Sequence, residues 1–474
     1  MMRKNRMFLT TAILAVSAAA CSFAMPLFAA EDAATELKKI EESKESNSPN
    51  GSNGSNSSKE TEEIAQMVLT GDWSVRVTFA GQTQDFAIDP AKLTAVADEK
   101  MVLPLFNPAG PPWRKAQPFA GVRAMECAVN GAFLPDSQIL RSAPASDPQA
   151  VTFEEGKDYQ LDVPWGNAGR LEGGRIAEGV PVYASYQFGK MRIDAIVRTA
   201  DGRMALVQGE SHVANPSLPV LTEGQTLLGT VWISGRIDRL TEKNLFPVST
   251  PREYQPLFLA KDAIPKTYAK LERGETVRIL AWGDSVTACG FLPGEERWQS
   301  QFVTRLQKRF PNAKIELIHE GWGGRNSASY LNEPVGSPKN YQECVLNVKP
   351  DLVVMEFVND SGLKPEGVES AYSKILADFQ ARGMEWIICS PHYVRADWMG
   401  FESERGIDAD PRPYVAGLRA FCAKHHVALA DCSFFYGQQY RLGIPYSTLM
   451  VNNINHPNAY GMSLFADALM KLFP

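Results

Sequence analysis

Four short segments of this chain carry groups that together could perform acyl transfer. Gly283-Asp284-Ser285 follows the apolar run 277–282 and puts a hydroxyl on a sharp turn. Gly321-Trp322-Gly323-Gly324 follows a second apolar run and leaves backbone N–H groups bare. Asn359 follows a third run, and His456 sits in Asn453-Ile454-Asn455-His456 shortly before the chain ends. Acyl transfer needs a nucleophile, a base for its proton, and N–H donors where the tetrahedral oxygen gathers charge. Alone, Gly-Asp-Ser is an ordinary turn, because those residues suit turns sterically. Four such groups at the ends of successive strands are what make the chemistry worth pursuing.

Their positions depend on the elements around them. From residue 277 the pattern alternates between strand and helix. Trp298, Phe302, Leu306 and Phe310 recur at helical spacing, as do Val368, Tyr372, Ile375 and Phe379, then Tyr414, Leu418 and Phe421, and finally Leu464, Phe465, Leu469 and Leu472. Between them lie the short apolar runs 315–318, 352–355, 386–389 and 427–430. Such alternation predicts a parallel sheet covered on both faces. Ligands of such sheets sit outside the carboxyl ends of the strands, where all four segments fall.

Residues 63–246 read differently. Runs at 73–79, 180–188, 191–198, 204–207 and 227–234 suit strands, separated by Gly-, Asn-, Asp- and Pro-rich turns. Many short strands with little helical periodicity predict an all-β sandwich region of one or two modules. Trp113, Trp165 and Trp232 could stack on sugars, although core packing is the commoner use of such rings. Pro247, Pro251, Pro256 and Pro265 mark 247–274 as a connector with a short helix near 267–272.

The N-terminus reads as an address rather than a fold. Arg3, Lys4 and Arg6 precede an apolar stretch at 8–20 and then small residues, so 1–30 is expected to be an export signal. Lipid attachment at Cys21 is the alternative reading. Residues 31–62, rich in Ser, Asn and Gly, are expected to form a flexible tether holding the body off a membrane or cell surface. A net charge of -6 over 474 residues argues against nucleic acid as partner, because phosphate binding needs a basic face.

Residues 275–474 resemble the SGNH (GDSL-type) hydrolases, whose four blocks carry Ser, Gly, Asn and His in this order. The resemblance implies a flavodoxin-like three-layer α/β/α fold and a serine esterase without cofactor or metal. It implies Ser285 as nucleophile and His456 as base. The oxyanion donors would be the Ser285 N–H, the Gly324 N–H (or that of Gly323) and the Asn359 side chain. An α/β-hydrolase elbow fits less well, since Ser285 lies in Gly-Asp-Ser-Val-Thr rather than Gly-x-Ser-x-Gly. An exported SGNH domain joined to a β-sandwich most resembles carbohydrate acetylesterases, so the implied substrate is an acetylated polysaccharide or oligosaccharide. The alternatives are a lipase or thioesterase and a glycan-binding surface protein that has lost activity.

One block departs from the family pattern. The family usually has Asp three residues before the histidine, and this chain has Asn453. An amide oxygen can orient an imidazole but brings no charge. Asn453 could serve as orienter, or an acid such as Glu356, Asp360 or Asp431 could reach in. His392 is expected to be a structural loop residue, and His425 and His426 to complement a helix end. Of six cysteines beyond the signal, Cys389 and Cys422 read as buried thiols, and a Cys289–Cys344 bridge is an open reading.

Overall fold

A computed structural model describes residues 64–407 and 409–474, so the expected export signal, Cys21 and the whole of the expected tether lie outside the described residues. The C-terminal part is a five-stranded parallel sheet of β1 (Thr276–Gly283), β2 (Lys314–Gly321), β3 (Leu352–Glu356), β4 (Glu385–Cys389) and β5 (Ala428–Ala430). Their order is β2-β1-β3-β4-β5, the flavodoxin-like winding.

Strand β1 is apolar on both faces because both are covered. On one side Val277, Ile279 and Ala281 pack with α2 (Trp298–Arg309) and α5 (Ala459–Met470). On the other, Leu280 and Trp282 pack with α3 (Pro365–Ala381) and α4 (Pro413–His425). The expected three-layer sandwich is therefore present. A short helix, α1 (Ser285–Ala288), carries the serine.

The upstream region is antiparallel, as expected, and has two apolar cores. The three-stranded meander from Gln66 to Ala87 shares a core with the sheet of Arg192–Arg198 and Thr226–Ile233. A second core joins the sheet of Leu93–Val102, Pro181–Gly189 and Ile139–Arg141 to the small sheet containing Tyr159–Asp162. Ile454, from the loop that bears His456, is 4% exposed and belongs to this second core. Trp165 is buried there, which favours packing over sugar stacking for that ring. All six described cysteines are free thiols, so Cys289 and Cys344 are not bridged.

Just ahead of the His456 loop, the turn Tyr446–Leu449 is held by buried Glu404, which accepts the Ser447 N–H at 3.0 Å. Burial pushes the Glu404 carboxyl up to about 7. A carboxyl raised on folding stabilises fully below its unfolded value near 4.5, and that contribution is lost as pH rises through 7. Glu404→Gln is isosteric with the protonated acid. It is expected to gain roughly 2–3 kcal/mol on the native chain between pH 5 and pH 8, read from denaturant midpoints.

Candidate active site

Strand β1 ends at Gly283, where no side chain fits: an added Cβ would lie 2.2 Å from both the Glu356 carbonyl and the Thr287 hydroxyl. This close approach sets β1 against β3 and turns the chain sharply. Asp284 then caps α1, accepting the Val286 N–H at 3.0 Å with one oxygen and the Asn359 N–H at 2.9 Å with the other. One buried carboxylate thereby locks the serine turn to the asparagine turn.

Asp284 has a buried neighbour, Glu356, whose Oε2 accepts from the Thr287 hydroxyl at 3.2 Å. Burial lifts both carboxyls, Asp284 to about 7 and Glu356 well above its ordinary range, where the charge of Asp284 adds to the effect. The proton belongs on Glu356. Both Asp284 oxygens already accept N–H groups, whereas Glu356 Oε1 has no hydrogen-bond partner in the protein.

Ser285 opens α1, so its N–H lies in the first turn, where helical N–H groups have no partner within the helix. Gly323 faces the serine: a Cβ there would sit 3.8 Å from Ser285 Cβ. Gly324 lies one residue further round the turn closed by the Arg325 N–H and the Trp322 carbonyl, at φ +72°, which favours glycine. The Asn359 amide donates one N–H to the Arg325 carbonyl at 3.0 Å. An amide nitrogen has two hydrogens, so a second donor remains. Ser285, the Gly323-Gly324 turn and Asn359 are thus mutually connected.

His456 Nε2 lies 3.0 Å from Ser285 Oγ. Its ring stacks on Phe291, with centroids 4.5 Å apart and planes 4° from parallel. The loop is rigidly built. Asn452 Oδ1 accepts the N–H groups of Ile454, Asn455 and His456, and the Val451 N–H bonds the His456 carbonyl at 2.8 Å. His392 is fully buried, and burial lowers it to about 3, so it stays neutral and donates Nε2–H to the Asn455 carbonyl at 2.7 Å. The expected structural role suits it.

The expected orienters are placed elsewhere. Asn453, at φ +54°, turns away and donates its amide N–H to the Ala214 carbonyl at 3.0 Å. Glu356 faces Thr287, Asp360 accepts from the Ser327 N–H and the Tyr372 hydroxyl, and Asp431 pairs with Arg419. The atom facing His456 Nδ1 is instead a carboxylate oxygen of Glu126, from the β region. Sequence reasoning missed this residue. The signal that pointed to it was indirect: an amide where an acid was expected. No cluster of metal-ligating side chains occurs among the described residues.

Residues 281–464 match the GDSL-like lipase/acylhydrolase family. No curated protein matches the chain. Among solved structures, a two-domain esterase active on acetylated mannans is 17% identical over 46% of this chain and 54% of its own, with a TM-score of 0.37. The chain therefore spans about half the length of that esterase. An acetylxylan esterase from Geobacillus stearothermophilus is 16% identical over 41% of this chain and 93% of its own, with a TM-score of 0.33. A member of the lipolytic G-D-S-L family from Veillonella parvula is 17% identical over 41% and 97%, with a TM-score of 0.30. With its flavodoxin-like sheet and its Ser, Gly, Asn and His blocks in order, the segment 281–464 is similar to the GDSL-like lipase/acylhydrolase family whose model it matches.

Proposed function

We propose that this protein is an exported serine esterase that removes short acyl groups, acetyl foremost, from carbohydrate. The observation that carries the reading is the 3.0 Å approach of His456 Nε2 to Ser285 Oγ beside the Gly323-Gly324 turn and Asn359. In this reading Nε2 takes the Ser285 proton as Oγ attacks the ester carbonyl carbon. The oxyanion meets the Ser285 N–H, the glycine-turn N–H and the Asn359 amide, donors already fixed before the charge forms. Collapse expels the sugar oxygen, which takes the proton from Nε2–H, and leaves an acyl-Ser285 ester. Water, deprotonated by the same nitrogen, then releases the acid and restores the hydroxyl.

The carbohydrate half of the reading draws support from an aromatic ridge beside the site. Trp398 is 42% exposed and lies 5.7 Å from Trp113, and the Arg395 guanidinium lies over the Trp398 and Trp165 rings. The Arg395 N–H bonds the Ile454 carbonyl at 2.8 Å, so the ridge adjoins the His456 loop. A half-exposed tryptophan such as Trp398 suits contact with a pyranose ring, because indole pairs an apolar body with a polar N–H edge.

The test compares p-nitrophenyl esters from acetyl to dodecanoyl with acetylated mannan and acetylated xylan. Acetate release from at least one polysaccharide is expected, with kcat/KM falling at least about tenfold from acetyl to octanoyl, an effect of the size a few methylenes produce in a pocket. A preference for octanoyl and longer chains, with no acetate released from either polysaccharide, overturns the carbohydrate reading in favour of a lipase.

A further inference from the structure

Building on the serine-esterase reading, we infer that Glu126 is the positioning acid for His456, so that the β region completes the active site. His456 can accept the Ser285 hydroxyl proton at Nε2 only in the tautomer with hydrogen on Nδ1. Glu126 Oε2 is the acceptor for that N–H. A carboxylate there fixes the ring and stabilises the imidazolium formed while the proton resides on it.

The contact is built into the backbone on both sides. Glu126 itself sits at φ +68°, a left-handed conformation that a non-glycine residue holds when its surroundings impose it, and such residues concentrate at functional sites. Its turn is closed by the Ala124 N–H to the Cys127 carbonyl at 2.8 Å. Each neighbour of Glu126 is fastened to the histidine loop. The Met125 N–H reaches the Val451 carbonyl at 3.4 Å, and Cys127 Sγ reaches the Asn452 carbonyl at 3.4 Å.

The loop in turn is fastened to the β region. Ile454 is buried in the β core, and the Asn453 amide donates to the Ala214 carbonyl. The position from which the family usually supplies its acid is thus spent on holding the two regions together. An aspartate at 453 would meet that carbonyl with an acceptor. The acid and the interface contact have exchanged places, which accounts for Asn453 and Glu126 together. A chance surface ion pair would need none of this scaffolding.

The test uses the full chain. On p-nitrophenyl acetate, Glu126→Gln and Glu126→Ala are expected to lower kcat by about 10²–10⁴ with KM within about threefold. Glu126→Asp is expected to recover at least about tenfold over Glu126→Ala. In a His456→Ala background, Glu126→Gln should cost less than about threefold, because groups acting as a unit are not additive. A role confined to holding the fold would lower the rate in both backgrounds. The imidazole Nδ1–H proton resonance, far downfield while bonded to a carboxylate, should vanish in Glu126→Gln. The inference is overturned if Glu126→Gln keeps kcat within about threefold of the native chain, if it loses the same factor without His456, or if the resonance persists. If the native chain is no faster than Ser285→Ala, the esterase reading fails, and the resonance alone still decides whether Glu126 holds the ring.

Discussion

Ser285→Ala is expected to cut kcat on p-nitrophenyl acetate by about 10⁴–10⁶ while leaving the fold in place. The size follows from what is removed. Without Oγ no acyl-enzyme forms, and the remaining catalysis is what oxyanion donors and binding give to attack by water. The fold should survive because the serine hydroxyl contributes nothing to the frame of its turn. Asp284 caps α1, the Gly283 carbonyl accepts the Trp322 N–H at 3.0 Å and the Tyr330 hydroxyl at 3.1 Å, and the Ser285 hydroxyl bonds His456 instead. Alanine is also the best helix former, so α1 loses nothing. The expected pattern is therefore an unchanged unfolding midpoint, a KM within about threefold, and a nearly vanished kcat. A variant hydrolysing the ester at close to the native rate would remove Ser285 from the reaction, whatever its distance from His456.

The hydrolase sheet was legible because strands buried on both faces show as mostly apolar runs, broken in β1 only by Arg278. The runs at 277–282 and 352–355 coincide with β1 and β3. The β region gave less away. Gln82–Ala87 buries one side chain, Phe86, and Leu93–Val102 buries only Met101, so neither carries an alternating apolar signal. Their pairing comes from ladder hydrogen bonds with neighbouring strands, which composition does not reveal. The site divides in the same way. Ser285, Gly323, Asn359 and His456 each follow a strand or precede a helix within a recognisable block. Glu126 lies 330 residues from the ring it contacts, in a turn with no glycine to mark it. Asn453 left an acid from elsewhere as one open reading beside the amide itself. The acids weighed for it, Glu356, Asp360 and Asp431, all lie within 275–474, whereas Glu126 lies in the β region.

His456→Ala carries the other large effect and separates chemistry from architecture. The expected fall in kcat is again about 10⁴–10⁶, since the ring serves both as base for Ser285 and as acid for the leaving oxygen. The two losses should not add: Ser285→Ala/His456→Ala should lie within about threefold of either single variant. That equality requires the loop to stay where it is without its imidazole, and the structure says why it should. The Asn452 side chain holds three consecutive N–H groups, His392 holds the Asn455 carbonyl, and Ile454 is anchored in the β core. None of these contacts uses the His456 ring. The ring's own neighbours are the Ser285 hydroxyl, the Glu126 carboxylate and the Phe291 face. A double variant far slower than both singles would mean that the serine and the histidine contribute independently. The 3.0 Å contact between them would then be a packing feature rather than a path for the proton.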